Sequence, residues 1–318
     1  MSIQIQENLE TFGFVGLGSM GGPMATNLSK SVDKLRVFDL AGTKERAPEN
    51  ALCFDSLEEI AASCNTLFLS LPDGSDVIQT VLELSNMKQT SCKTVIDTST
   101  IGIDAVNQVQ QVLDNSGITY LDCPVSGGCH RAETGNISIF VGGDRPTFEK
   151  ILPVLKVMGK KILHAGKLGS ASILKVITNY LASVNLVSIG EALTVAKKSG
   201  MDLKTAYEAI KISSGNSFVH ETESQVILNG SYNISFTMDL VVKDMGLFDT
   251  LSKKHHIPLE VSPIIFNIFK EGQKKYGSRA WSSMIVKRLE DACNINLRAE
   301  GFPSELTDNE SEEKGYVI

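Results

Sequence analysis

Short runs of apolar residues, each the length of a β-strand, recur through the first half of the chain. They lie at residues 12–15, 35–38, 66–71, 94–96, 118–121, 137–141 and 161–163. Most are separated by segments with apolar residues every three or four positions, at 20–29, 56–62, 76–84 and 103–113, which is typical of amphipathic helices. Because a parallel strand pair needs a helix-sized connection, this alternation predicts a doubly wound α/β domain with a mostly parallel sheet.

The pattern becomes almost purely helical after His164. Residues 170–199 contain no proline and predict one helix of about 28 residues, or ~42 Å at 1.5 Å per residue. Further helices are expected at 202–213, 217–228, 236–254, 261–275 and 282–293. The predicted domains are therefore residues 1–168, an all-helical domain at 169–296 joined by the long helix, and a polar, acidic tail at 297–318 that we expect to be disordered.

Composition narrows the class of protein further. The chain has 42% hydrophobic residues and a net charge of −7, with no cluster of Lys and Arg, which excludes a general nucleic-acid binder. Its six cysteines form no CxxC pair, so neither a metal site nor a disulfide framework is expected. The opening MSIQIQENLETF lacks the features of a secretion signal, and no apolar stretch approaches the ~20 residues that span a bilayer. These features predict a soluble cytoplasmic protein without a membrane partner.

A glycine-rich turn, GLGSMGG, follows the first predicted strand and precedes the first predicted helix. In that context Gly16 permits the tight turn, Gly18 lets the backbone approach a pyrophosphate, and Gly21 lets the helix lie close to the strand. A tight turn without a ligand is the alternative. The pattern predicts that the dinucleotide is bound by Gly16, Leu17, Gly18, Ser19, Met20 and Gly21.

The second predicted strand ends at Asp39, 23 residues after Gly16. A carboxylate at that position can accept hydrogen bonds from ribose hydroxyls and would repel a 2′-phosphate, which favours NAD over NADP. Lys44 and Arg46 are close enough in sequence to soften that repulsion. A simple turn residue is the alternative for Asp39.

Several spaced motifs together make the chain resemble the β-hydroxyacid dehydrogenase family over nearly its whole length. They are GFVGLGSMGGPMATNL, LSLPDGSDV, DTSTI, DCPVSGG, GKLGSASILKVITN and FTMDLVVKDMGL, in that order. The resemblance implies an N-terminal Rossmann domain and an all-helical C-terminal domain joined by a long helix. It further implies that the cofactor is contacted by Leu71, Pro72, Thr100 and Lys243, and that the substrate is anchored by Ser126, Gly127 and Gly128. A homodimer or homotetramer is expected by the same resemblance.

Lys175 lies inside the apolar stretch Leu174 to Leu181, and Asn179 follows it by one helical turn. A desolvated lysine beside a positively charged nicotinamide is expected to have a lowered pKa, since burial and a like charge both disfavour protonation. Lys175 would then take the hydroxyl proton during alcohol oxidation while Asn179 orients lysine and substrate. The alternative is a lysine that extends its amine into water from a surface helix.

The expected function is NAD-dependent oxidation of a small 3-hydroxy acid, similar to 3-hydroxyisobutyrate, to its semialdehyde. Two alternatives are an NADP(H)-linked reductase of glyoxylate or succinic semialdehyde, which Asp39 disfavours, and a catalytically silent dinucleotide-binding protein, which Lys175 disfavours. Arg131, just after the SGG loop, suggests a further hypothesis: its guanidinium could recognise a second anionic group on the substrate. An ordinary surface role for Arg131 is the alternative.

Overall fold

The computed structural model describes residues 10–311 and 313–318. The chain divides into two compact units, Met1–Lys175 with Asp308–Ile318, and Val176–Thr307. The first unit therefore ends at Lys175, inside the long helix, whereas the sequence predicted a boundary between residues 168 and 169. It also includes the last eleven residues of the chain.

The first unit is built on one ten-stranded sheet within the described residues. The strands are β1 (Phe12–Val15), β2 (Arg36–Phe38), β3 (Leu52–Cys53), β4 (Thr66–Leu69), β5 (Thr94–Asp97), β6 (Thr119–Asp122), β7 (Val125–Ser126), β8 (Ile137–Gly142), β9 (Gly159–Gly166) and β10 (Tyr316–Val317). Their order is β10-β9-β8-β6-β5-β4-β1-β2-β3, and β7 pairs with β8. All pairs are parallel except β6–β8 and β7–β8, which confirms the predicted mostly parallel sheet.

Helices connect most of these strands. They are α1 (Gly21–Ser29), α2 (Leu57–Ser63), α3 (Gly74–Asn86), α4 (Gly102–Leu113), α5 (Cys129–Thr134) and α6 (Arg145–Met158). Neighbouring residues of a strand enter different cores: Phe68 packs in a cluster that includes α1 and α6, whereas Leu67 and Leu69 pack in one that includes α2, α3 and α4. Burial on both faces explains why the strands are continuous apolar runs rather than alternating ones.

The parallel strands β1, β4, β5 and β6 end level with one another. The register aligns Val15 with Leu69, Leu69 with Asp97 and Asp97 with Asp122. Ligands of doubly wound sheets bind outside this carboxyl edge. The glycine-rich turn follows β1, and the motifs LSLPDGSDV, DTSTI and DCPVSGG begin at the ends of β4, β5 and β6, so these four motifs lie at this edge.

The second unit is helical within the described residues. It holds most of α7 (Ser170–Lys198), then α8 (Leu203–Lys211), α9 (Phe218–Asn229), α10 (Met238–Lys254), α11 (Val261–Tyr276), a 3-10 helix (Ser282–Val286) and α12 (Lys287–Cys293). Asp202 caps α8 and Ser217 caps α9, each accepting a backbone N–H of the first turn. The predicted all-helical region is confirmed, with the difference that the segment 282–293 begins as a 3-10 helix.

Helix α7 is long and apolar enough to cross a bilayer by length and composition, with a mean hydropathy of 1.4 over its most apolar window. The expectation that no stretch approaches that length was therefore wrong. Core helices of soluble proteins share these properties, and Leu186 and Leu193 of α7 lie in the core of the second unit. Their burial accounts for the apolar character of that part of the helix.

The acidic tail is ordered in its last part, contrary to the predicted disorder of 297–318. Its strand β10 pairs in parallel with β9, aligning Tyr316 with Lys161 and Val317 with Ile162. Upstream, Leu297 is fully buried, and its N–H donates to the Glu290 carboxylate at 2.7 Å. The prediction failed because the acidic residues of the tail pair with basic side chains far away in the chain, and its backbone pairs with β9. Composition does not reveal such partners.

Candidate active site

The glycine-rich turn has the geometry that a dinucleotide fingerprint requires. Gly16 has φ +91°, and a Cβ there would lie 2.3 Å from the Ser70 carbonyl oxygen. A Cβ on Gly21 would lie 1.9 Å from the Gly16 carbonyl oxygen. Gly18 differs, because a Cβ there would meet nothing within 4 Å. Two glycines thus permit the fold of the turn, while the third leaves open space on its outer side.

That open space belongs to a groove of about 650 Å³ in the first unit. Its lining comprises Leu17, Gly18, Ser19, Gly22, Pro23, Thr26, Arg46 and Glu133. Among the described residues no side chain caps the first turn of α1. The Gly22 and Met24 N–H groups donate to the Gly18 and Met20 carbonyls, so the first turn offers an anion the positive end of the helix dipole. The residues present therefore fit a dinucleotide, whose pyrophosphate would be held by the backbone of the turn at Gly18 and the start of α1.

Asp39 follows β2 and is buried beside the glycine turn. Its carboxylate accepts the Leu17 N–H at 2.6 Å and the Ala41 N–H at 2.8 Å. Arg46 also reaches it, with Nη1 3.5 Å from Oδ2. The structure thus places Asp39 where the fingerprint predicts an acidic residue and adds a partly exposed cation beside it in the groove.

Two further loops reach the same edge of the sheet. Leu71 and Pro72 follow β4, and Thr100 follows β5. The Leu71 N–H donates to Ser99 Oγ at 2.8 Å, which ties the two loops together. A Cβ on Gly16 would lie 3.2 Å from Leu71 Cδ2, so this side chain lies beside the glycine turn. The position of Leu71 is consistent with a cofactor contact.

The predicted substrate loop, Ser126 to Gly128, connects β7 to α5. Ser126 pairs with Ser138 of β8. Gly127 has φ +132° and Gly128 has φ +83°, values that side chains rarely adopt. Just beyond, burial and then the Arg131 charge lower the pKa of His130. The loop is therefore a backbone turn that requires glycine.

Helix α7 is anchored at its start by Asp122, the last residue of β6. The Asp122 carboxylate accepts the Gly169 N–H at 2.9 Å and the Ser172 N–H at 2.8 Å. Burial raises the pKa of Asp122, and the same two hydrogen bonds oppose that rise. Lys175 follows within one turn, and its side chain is only 8% exposed. The expectation that this lysine is desolvated is confirmed.

In the second unit, Asn179 Nδ2 donates to Asp244 Oδ2 at 2.6 Å. Asp244 is 4% exposed, and its other oxygen lies 3.3 Å from the Lys243 ammonium. An amide that donates to a carboxylate presents its carbonyl oxygen in the other direction. Asp244 therefore sets the orientation of Asn179.

The predicted residues are divided between the two units. The glycine turn, Asp39, Leu71, Pro72, Thr100, the SGG loop and Lys175 lie in the first, and Asn179 and Lys243 lie in the second. Sequence reasoning gave no role to Asp122, although it opens the DCPVSGG motif, or to Asp244 beside Lys243. Both acids lie inside quoted motifs, but their burial and their hydrogen-bond partners appear only in the structure. The catalytic and binding roles stay predictions.

Comparison with known proteins identifies the family. Residues 11–166 match the model described as the NAD binding domain of 6-phosphogluconate dehydrogenase, and residues 169–289 match the NAD-binding region of NADP-dependent 3-hydroxyisobutyrate dehydrogenase. The chain is 34% identical over 291 residues to 2-(hydroxymethyl)glutarate dehydrogenase of Eubacterium barkeri, covering 90% of this chain and 96% of that one. The chain belongs to the β-hydroxyacid dehydrogenase family. It is also 28% identical over 278 residues to the mitochondrial 3-hydroxyisobutyrate dehydrogenase of Drosophila melanogaster, covering 85% and 86% of the two chains.

A solved structure agrees with this membership. The 3-hydroxyisobutyrate dehydrogenase of Mycobacterium tuberculosis with L-serine matches with a TM-score of 0.79 and 27% identity, covering 89% of this chain and 99% of that one. As a β-hydroxyacid dehydrogenase, the chain is an oxidoreductase that uses a nicotinamide dinucleotide. The Rossmann fold expected for the first unit is thereby confirmed.

Proposed function

We propose that this protein catalyses the reversible NAD-dependent oxidation of a small 3-hydroxy acid to its semialdehyde. The observation that carries the proposal is the buried Lys175, held one turn from the Asp122 anchor on a family motif. A catalytically silent protein would have no reason to keep a lysine inside an apolar stretch. An exposed Lys175 would have favoured that alternative. The family membership supports a hydroxy acid as the substrate class.

The chain's residues would divide the work as follows. Ser126 and the backbone of Gly127 and Gly128 would bind the substrate carboxylate, because glycines leave N–H groups uncovered. Lys175 would accept the hydroxyl proton during oxidation and return it during reduction. The bound nicotinamide would supply the hydride acceptor. Asn179, oriented by Asp244, would accept a hydrogen bond from the lysine ammonium or position the substrate hydroxyl.

The proposal prefers NAD because Asp39 places a buried carboxylate beside the turn. Arg46 partly neutralises that carboxylate and lines the same groove, so the preference is expected to be moderate rather than absolute. A cytoplasmic homodimer or homotetramer is proposed on the family resemblance alone, and we propose neither a nucleic-acid nor a membrane partner.

The proposal is tested by assaying a panel of 3-hydroxy acids, with one and two carboxylates, for reduction of NAD and NADP. Lys175→Ala should lower kcat by about 10²–10⁴ while the Kd for NAD stays within about threefold. Lys197→Ala, an exposed lysine on the same helix, is the matched control and should be unaffected. Full activity of Lys175→Ala, or no turnover with any hydroxy acid, would contradict the proposal.

A further inference from the structure

The end of the chain lies beyond the matched family regions. The second family match ends at residue 289. Yet Asp308–Ile318 packs with the first unit. We name this segment the C-terminal strap. Its contacts are not accounted for by the reaction described above.

The strap binds the end of α5, the helix that follows the substrate loop. Asp308 accepts hydrogen bonds from Thr134 Oγ1 and, at 2.6 Å, from Asn136 Nδ2. Glu310 forms an ion pair with Arg131 and lies 3.3 Å from the Lys160 ammonium. Two acidic side chains of the strap therefore engage residues on and just after one six-residue helix.

Arg131 connects the strap to the substrate loop directly. If Gly127 carried a Cβ, Arg131 Cδ would lie 3.2 Å from it and Arg131 Cβ 3.4 Å from it. The aliphatic part of Arg131 thus packs on the middle residue of the SGG loop while its guanidinium pairs with Glu310. A side chain held at its tip has fewer rotamers available, and the loop it covers is restrained accordingly.

The far end of the strap is fixed independently. Strand β10 pairs with β9, and the Ile318 N–H donates to the Ile162 carbonyl at 2.9 Å. A Cβ on the buried Gly315 would lie 2.2 Å from the Gly159 carbonyl oxygen, so backbone packs on backbone at this point. Strand β10 therefore holds the C-terminal end of the strap through contacts other than those of Asp308 and Glu310.

The opposite side of α5 contacts α1 and Met20, the residue just before α1. Asn27 Nδ2 donates to the Ala132 carbonyl at 2.8 Å, and Cys129 Sγ lies 3.6 Å from Met20 Sδ. Helix α5 is therefore held between α1 on one side and the strap on the other. A helix of six residues has little stability of its own, so these flanking contacts decide where it lies.

We propose that Asp308 and Glu310 are positioning residues: they hold α5 and Arg131, and through them the SGG loop that binds the substrate carboxylate. This inference rests on the proposed function for the identity of the loop's ligand. It also gives Arg131 a role other than the one hypothesised from the sequence, because its guanidinium pairs with Glu310 of the strap.

The test compares Glu310→Gln with Glu305→Gln, an exposed glutamate in the same region. Glu310→Gln should raise the KM for the hydroxy acid about fivefold, as expected for one partly exposed ion pair, with kcat changed less than KM. Hydrogen exchange at 126–136 should accelerate relative to the control. This second readout needs no turnover, so it separates failure of the inference from failure of the proposed function.

A double-mutant cycle identifies the route. If Glu310 acts through Arg131, adding Glu310→Gln to Arg131→Ala should raise KM no further. Hydrogen exchange at 126–136 should also be faster in Asp308→Asn and in a chain ending at Thr307. If the shortened chain fails to fold, the point variants still test the inference. Three results would each overturn the inference: unchanged hydrogen exchange in Glu310→Gln, additive effects of the two substitutions on KM, or a fall in KM. A fall in KM would mean that Glu310 competes with the substrate for Arg131.

Discussion

Replacing Asp122 by Asn tests whether the start of α7 is held by a carboxylate. Asp122 is 1% exposed and accepts the N–H groups of Gly169 and Ser172, one on each oxygen. Asn keeps the shape but replaces one acceptor oxygen with an NH₂ group that would face a backbone N–H. One charge-assisted hydrogen bond is therefore lost and its donor is left unsatisfied.

The size of the effect follows from these contacts. A hydrogen bond to a charged group contributes about 1.5–3 kcal/mol. Burial raises the pKa of Asp122, because it disfavours the ionised carboxylate. Removing the charge also removes this desolvation cost, which offsets part of the free energy lost with the hydrogen bond. The free energy of unfolding should fall by about 2 kcal/mol, which lowers Tm by roughly 4–8 °C in a domain of this size.

The variant should also lose activity, because Lys175 follows the anchored turn directly. We expect kcat to fall about tenfold, as for other small displacements of a reacting group, and the Kd for NAD to stay within about twofold. Calorimetry, steady-state kinetics and NAD titration measure the three quantities. Asp33→Asn, at an exposed aspartate, is the control. A Tm within about 1 °C of the parent protein, together with unchanged kcat, would refute the anchoring role.

Four further substitutions test three separate parts of the structure. Gly21→Ala should destabilise the protein by about 3 kcal/mol in calorimetry, because its Cβ would lie 1.9 Å from the Gly16 carbonyl oxygen. Gly18→Ala should leave Tm unchanged, and titration should show NAD binding weakened more than about tenfold. Equal Tm for both variants would contradict this division of roles. Arg46→Ala should raise the KM for NADP more than that for NAD, because it uncovers the Asp39 charge, and an unchanged ratio would remove Arg46 from cofactor selection. Burial raises the pKa of Glu223 to about 8. The free energy of unfolding should therefore decline as pH rises from about 4.5 to 8. In urea unfolding, Glu223→Gln should be more stable than the parent protein at pH 8 and equal to it near pH 4, and a pH-independent difference would refute this reasoning.

The larger elements were predictable because their signals are local. Strands covered on both faces produce continuous apolar runs, and the helices of the second unit carry their pattern over several turns. Helix α5 was missed because its sequence, CHRAET, is mostly polar and too short to show the helical periodicity of apolar residues. The glycines that bound it, Gly128 and Gly135, both with positive φ, were the available signal. Helix α6 was missed although Asp144 caps it.

The order of the C-terminal strap could not be predicted from its own composition. Its acidic residues bind Arg131 and Lys160, which lie 179 and 150 residues away in the chain. Hydropathy describes the tendency of a segment to bury itself and contains no information about such partners. The two candidate-site acids, Asp122 and Asp244, were missed for the same reason, since their partners lie 47 to 65 residues away.

These two acids suggest why the proposed base lies on a helix. Asp122 binds the start of α7 within the first unit, and Asp244 binds Asn179 of α7 within the second. Lys175 lies between these two points of the same helix, at the last residue of the first unit. A base on a loop could be displaced by a small shift of its flanks, whereas a helix fixed by buried carboxylates on either side keeps the direction of the lysine side chain. The glycine turn needs no such support, because its own backbone geometry positions it. The local motif was therefore readable from the sequence, and the support of the lysine required the fold.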